Sequence, residues 1–330
     1  MRRFDKPALS VPEQLELLKS RGLTILNEDR ARQFLEVVTL FRLSPYMRPF
    51  QVPSDSEHHF RPDSTLREIV NIYRFDGAMR HLVMDAIERV EVAMRACISN
   101  HMATAYGAHW YLDSANFKTG YAHARLLEDL TRQLNDEQKQ FTKEQDRINL
   151  SRADATLKAK RIESRKRDNY PRYYGATYDD PALPPSWAML EMLSLGQLSQ
   201  LYKGIARDAD RKAIARRVEL PQDVLESWLH TLTFVRNICA HHARLWNREL
   251  AVPPRLPAGQ AWIIPKAAGR PAPERRLFVV LSMLIYLMQR VSPESGWRGR
   301  LLKELVNVPI TLLIAMGFPE KWDDMVLWRD

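Results

Sequence analysis

The sequence predicts an all-α protein, and three observations carry that reading. Glycine is scarce, with 12 in 330 residues. Alternating runs of β-branched residues, the mark of half-buried strands, are few. Apolar residues recur instead at three- and four-residue spacing over long stretches, the period of one helical face.

Taken in order, the first helix is expected in "VPEQLELLKSRGL", with Leu15, Leu17 and Leu18 apolar, an acidic first turn after Pro12, and Gly22 as a stop. Asn27 can cap a second, "NEDRARQFLEVVTLFRL", whose Phe34, Val37, Val38 and Phe41 fall on one side. "SPYMRPFQVPSDSEHHFRPDS" reads as a proline-broken loop. The longest helical pattern runs from about Leu66 to His101, with Ile69, Tyr73, Met79, Leu82, Val83, Ile87, Val90, Met94 and Ile98 on its stripe.

Residues 121–170 contain neither glycine nor proline and are dense in charge. Leu127, Leu134, Phe141, Ile148, Ala155 and Ile162 recur there every seven residues, which predicts a long helix or a helical hairpin with one narrow apolar seam. After the loop "YYGATYDDPALPPSW" another helix begins at Trp187. Pro221 then starts a helix expected to continue through "FVRNICAHHARLWNREL" to Leu250. A proline-rich connector, Val252 to Pro273, precedes the final apolar helices, whose run "LFVVLSMLIYLM" is too short to span a bilayer.

Composition narrows the partners. The formal net charge is +9 and the pI about 9.6, a balance that favours polyanions, nucleic acid first. The two cysteines, Cys97 and Cys239, form no CxxC pair, so neither a disulfide framework nor a zinc ribbon is implied. The N-terminal segment has no apolar core of signal-peptide length, and a cytoplasmic protein without a membrane partner is expected.

The chemistry-bearing stretch is "RNICAHHAR". In a helix, residues four apart sit about 40° apart in projection, so Asn237 and His241 share a face, and the Arg236 side chain can reach a group held near His241. A cation, an amide and an imidazole suit phosphodiester chemistry. The imidazole exchanges protons near neutral pH, and the guanidinium grips phosphate oxygens and stabilises developing charge. RNA fits best, because its 2′-hydroxyl is an internal nucleophile that needs neither a metal nor a cofactor.

The opposing reading is a plain structural seam, with Arg236 bound to Glu88 or Glu91. Glu88, Glu91 and Arg95 share one face of the long helix. They suit either a polar layer that orients Arg236 or His241 or a salt-bridge network inside the bundle. Arg244, three residues beyond His241, is a candidate phosphate contact. Trp246 is a base-stacking platform or a core anchor. His58 and His59 form a pair with no third metal ligand in view.

The stretch Arg236 to His241 resembles the R-x4-H signature of the HEPN superfamily. The longer "RNICAHHARLWN" is similar to the Abi-like family of abortive-infection proteins, of the AbiD/AbiF type. Five further pieces follow the family's order: "KPALSVPEQLELLKSRGL", "FRLSPYMRPF", "YRFDGAMRHLVMDAIERVEVAMR", "YGAHWYLD" and "LPPSWAMLEMLSLGQLSQLY". The resemblance implies a HEPN-type helical bundle over residues 1–250. The charged helical insertion at about 135–178 and a C-terminal segment, 251–330, packed on the same core, are individual to this chain.

The resemblance further implies a homodimer in which two motifs meet as a composite, metal-independent endoribonuclease site. Arg236 would bind the scissile phosphate, Asn237 would be the polar residue beside it, and His241 the general acid/base, with His242 as the alternative. Phage defence is the implied setting, with an RNA or protein antitoxin as a possible restraint. The competing readings are a non-catalytic RNA-binding or regulatory module and, with less support, a partner in nucleotidyl-transfer chemistry.

Overall fold

The computed structural model describes residue 3 and residues 7–265 and 269–329. Lys6, which opens the first family-like piece, and residues 266–268 of the connector lie outside them. Among the described residues there are 14 α-helices, three isolated β-bridges and no strand, so the fold is all-α, consistent with a helical bundle.

Helix α1 (Val11–Ser20) begins at a capping box in which Ser10 and Glu13 satisfy each other's backbone N–H groups. It ends beside Gly22, whose φ of +86° suits a residue without Cβ. Asn27 caps α2 (Glu28–Val37) by accepting from the Arg30 N–H at 2.9 Å. The single helix expected from Asn27 is in fact two. Val38 leaves the helical conformation and Thr39 caps a new helix, α3 (Leu40–Met47). The buried face is therefore Ala31 and Leu35, then Leu43, Tyr46 and Met47, while Val37 and Phe41 are exposed. Part of the expected proline loop is helical as well, since Pro45 sits inside α3.

Helix α4 (Leu66–Tyr106) is the axis of the molecule. A Thr65–Glu68 capping box starts it, and the expected stripe from Ile69 to Ile98 is buried except at Tyr73 and Leu82, which are partly buried against the core. The chain continues through α5 (His123–Leu150), α6 (Ala155–Arg167), α7 (Tyr170–Gly175) and α8 (Ser186–Met189). It then forms α9 (Leu195–Gly204), α10 (Asp208–Arg216) and α11 (Gln222–Ala240). The last helices are α12 (Leu277–Val291), α13 (Trp297–Leu305) and α14 (Ile310–Ala315). Helices α3, α10, α11, α12 and α13 all pack on α4, and α9 packs on α11. Helix α12 is buried over nearly its whole surface, which is why it reads as continuously apolar. No helix among the described residues is long and apolar enough to cross a membrane.

The charged insertion is a hairpin. Helices α5 and α6 pack against each other and against α7. Leu126, Leu130 and Leu134 root α5 in the main core, and Phe141 is buried further out. There Arg172 is held by Glu137 at 2.9 Å and, through two hydrogen bonds, by Glu144 at 2.9 and 3.0 Å. Helix α6 buries no residue, so the seven-residue seam ends in practice at α5.

Burial pushes the Cys239 thiol up to about 12 and raises Cys97 as well. Neither is expected to react with iodoacetamide at about pH 8 in the native chain, and both are expected to react after unfolding, as counted by intact mass. Native labelling at Cys239 would show that the end of α11 opens.

Candidate functional site

Helix α11 stops earlier than its periodicity suggests. The His242 N–H donates to the Cys239 carbonyl at 3.0 Å, and the Ala243 N–H donates to the Ile238 carbonyl at 2.9 Å. That pair of bonds is a Schellman turn, and its left-handed residue is His242, at φ +53°, where glycine is usual. His241 is the last residue in helical register, with its N–H on the Asn237 carbonyl at 3.0 Å. Arg244 therefore does not lie on the motif helix, contrary to the expectation from spacing.

Asn237 and His241 keep their common face, and both side chains are exposed. Half-buried Arg236 donates to the Asn237 amide oxygen at 3.5 Å and has no carboxylate partner among the described residues. Neither Glu88 nor Glu91 holds it. Glu91 instead binds Arg95 at 2.5 Å, and Arg95 continues to Glu191 at 3.0 Å and the Leu193 carbonyl at 2.9 Å. This network ties α4 to the segment before α9. Glu88 is exposed and forms no ion pair among the described residues.

The chain beyond the turn is fixed by a buried carboxylate. Asp76 of α4 accepts from the Tyr46 hydroxyl at 2.5 Å, from Arg80, and from the backbone N–H groups of Leu245 at 3.1 Å and Trp246 at 2.6 Å. Burial pushes this carboxyl above the usual range, and the Tyr46 hydroxyl and the Arg80 charge, in that order, pull it back. Trp246 is fully buried, with its ring stacked on Tyr46 at 6.4 Å between centroids. It is a core anchor, and its burial leaves no face for a base.

Residues that spacing did not single out complete the surroundings. Arg42 of α3 donates to the His242 carbonyl at 2.6 Å and to the Tyr73 hydroxyl at 3.3 Å. Half-buried Arg244 turns towards the Asn247 carbonyl at 3.4 Å. Burial lowers its pKa, and Arg48 and Arg248 lie close enough to lower it further. Arg248 also stands over the Phe234 ring of α11 at 5.9 Å. The end of α11 is thus ringed by guanidiniums, an arrangement that attracts anions. Arg42, Tyr46, Tyr73, Asp76 and Arg80 all fall within "FRLSPYMRPF" and "YRFDGAMR", so the signal was present, though the fold alone shows their meeting point.

His59 is paired with Asp55 at 2.8 Å. No group of three or more His, Cys, Asp or Glu able to hold a metal occurs among the described residues.

The model of the family described as Abi-like protein matches residues 33–247, and the chain belongs to that family. No curated protein and no solved structure matches it. The matched span contains every member of the Asp76 anchor and the whole motif, while α1, the connector and α12 to α14 lie outside it.

Removing one partner of a buried charge pair strands the other. Asp76→Ala is expected to cost about 3–5 kcal/mol in urea unfolding, whereas Glu88→Ala should stay within about 0.5 kcal/mol. His242→Gly should stabilise by about 1 kcal/mol, since it relieves a left-handed side-chain residue. A destabilised His242→Gly would mean that the imidazole itself packs there.

Proposed function

We propose, on the premise of this family membership and the exposed end of α11, that the chain is a metal-independent endoribonuclease of a phage-defence system. The observation that carries the reading is the Arg236 guanidinium, without a carboxylate partner among the described residues, beside exposed Asn237 and His241 at the basic end of one helix. A seam that served only packing would bury these groups or pair them, as the Glu91–Arg95–Glu191 network does.

In this reading the RNA 2′-hydroxyl attacks its own phosphorus. His241 takes the 2′-proton, a new P–O2′ bond forms, and the P–O5′ bond breaks. A second acid returns a proton to the leaving 5′-oxygen. The products are a 2′,3′-cyclic phosphate and a 5′-hydroxyl. Arg236 binds the non-bridging oxygens, where negative charge accumulates. Asn237 holds the Arg236 side chain and lends an amide to the phosphate. The second imidazole is His241 of another copy, as the HEPN resemblance implies. His242 departs from the helical register and serves the turn. Its carbonyl, held by Arg42, fixes where His241 stands.

His241→Ala should lower cleavage by about 10²- to 10⁴-fold while RNA binding stays near wild type. Arg236→Ala should weaken both, and Arg236→Lys should recover binding better than cleavage, since an ammonium lacks the bidentate fork. The measurement is cleavage of single-stranded RNA in excess chelator, with the product ends identified and folding matched by circular dichroism. Unchanged cleavage by folded His241→Ala removes the catalytic assignment. Salt-sensitive binding by a wild-type chain that never cleaves would make the protein a binding module instead.

A further inference from the structure

A cleft of about 510 Å³ opens between α2 and the first turns of α4, away from His241. Its size is that of a small-ligand site. Arg30, Arg67 and Arg74 line it together with Asn27, and the apolar side is formed by residues that include Phe34 and Val70. The lining contains three guanidiniums and no carboxylate. None of the three has an ion-pair partner among the described residues. Two carboxylates on the same helix starts are engaged elsewhere, Glu28 by Lys19 at 2.6 Å and Glu68 by its capping box with Thr65.

The cleft is a built feature of the fold. The Thr24 N–H donates to the Ser64 carbonyl at 2.9 Å, and the Leu66 N–H donates to the Thr24 carbonyl at 3.0 Å. These two bonds clamp the segment before α2 against the start of α4, and both helix starts contribute to the lining, Asn27 and Arg30 from one and Leu66 and Arg67 from the other. Leu26, 74% exposed, stands at the mouth. Unpaired cations over an apolar wall with one aromatic ring are complementary to a ligand with a phosphate at one end and a flat ring at the other.

We propose that this cleft is a nucleotide subsite, with phosphate on Arg67, Arg74 and Arg30 and the base against Phe34 and Val70. Two sources share that chemistry, one unit of an RNA strand or a free nucleotide. The strand source rests on the RNA reading above. A series of side chains joins the cleft to the motif. Phe34 meets Tyr73 edge-on at 5.8 Å between centroids, the Tyr73 hydroxyl accepts from Arg42, and Arg42 holds the His242 carbonyl. The cleft wall and the turn after His241 are thus linked through consecutive side-chain contacts.

The test measures binding, so it stands apart from whether the chain cleaves. The His241→Ala chain is titrated by fluorescence anisotropy with labelled oligouridylate, whose length is checked after the titration, and separately by calorimetry with AMP. The cleft pair Arg67→Glu with Arg74→Glu is compared with a control pair of equal charge change on the hairpin, Arg125→Glu with Arg147→Glu. All four arginines are exposed and without ion-pair partners among the described residues, so the substitutions leave the fold intact.

The expected result is a Kd at least about fivefold higher in the cleft pair than in the control pair, for one probe or both. For RNA the salt slope should also fall by about 0.7 for each phosphate that is no longer neutralised. Weaker binding of RNA alone identifies the strand as the occupant, and weaker binding of AMP identifies a free nucleotide. A rise below fivefold for both probes overturns the subsite, whatever the cleavage assay shows.

Discussion

The buried carboxylate of Asp76 is the constraint on which the motif's geometry depends. An ionised carboxylate without partners in a protein interior is costly by several kcal/mol, so it must be satisfied where it sits. Its donors come from α3, from α4 and from the chain after α11. Sequence separations of 30 and about 170 residues are thereby closed at one point. The Trp246 ring stacked on Tyr46 adds apolar burial to the same junction. Because Leu245 and Trp246 are fixed by their backbone N–H groups, the turn at His242 has little freedom, and His241 is held at the last helical position.

The left-handed His242 follows from the same constraint. The chain must leave α11 abruptly for Leu245 to reach Asp76, and a Schellman turn does this in the fewest residues. A side chain in that conformation costs about 1–2 kcal/mol, a cost offset by the anchor and by the Arg42 bond to the His242 carbonyl. Strained backbone held by its surroundings is frequent at functional sites. Here it accompanies exposed Asn237 and His241 and an Arg236 that has no carboxylate partner among the described residues.

Much of this was legible in the sequence, and the failures have identifiable causes. The long stripe of α4 and the apolar run of α12 are strong periodic signals, and the structure buries most of both, with Tyr73 and Leu82 of the stripe only partly covered. The break between α2 and α3 was hidden because Val37, Val38 and Phe41 fit a continuous stripe, while the Thr39 cap competes only weakly with that pattern. The end of α11 was hidden for a similar reason. A histidine at the left-handed position replaces the glycine that would mark a stop. Glu91 and Arg95 were correctly placed on one face, but their partner, Glu191, lies about 100 residues away and periodicity is blind to it. Asp76 passes in sequence for a polar residue on an amphipathic helix, since only tertiary structure reveals that it is buried.

The exposure of His241 has a further mechanistic consequence. In bulk water a unit charge pair at about 4 Å is worth about 1 kcal/mol, and in a partly dry site several times more. Arg236 beside an open surface can therefore recruit a phosphate, but stabilises developing charge only weakly until water is excluded. The guanidiniums of Arg42, Arg48 and Arg248 raise the local concentration of an anionic strand without drying the site. Under the nuclease reading, the missing element is a cover. The RNA itself and a second copy of the chain are the two surfaces that could supply one, and only the second also brings another imidazole to the leaving oxygen. Under the same reading, the exposed end of α11 supplies the groups for the first proton transfer and calls for an opposing surface to complete the second.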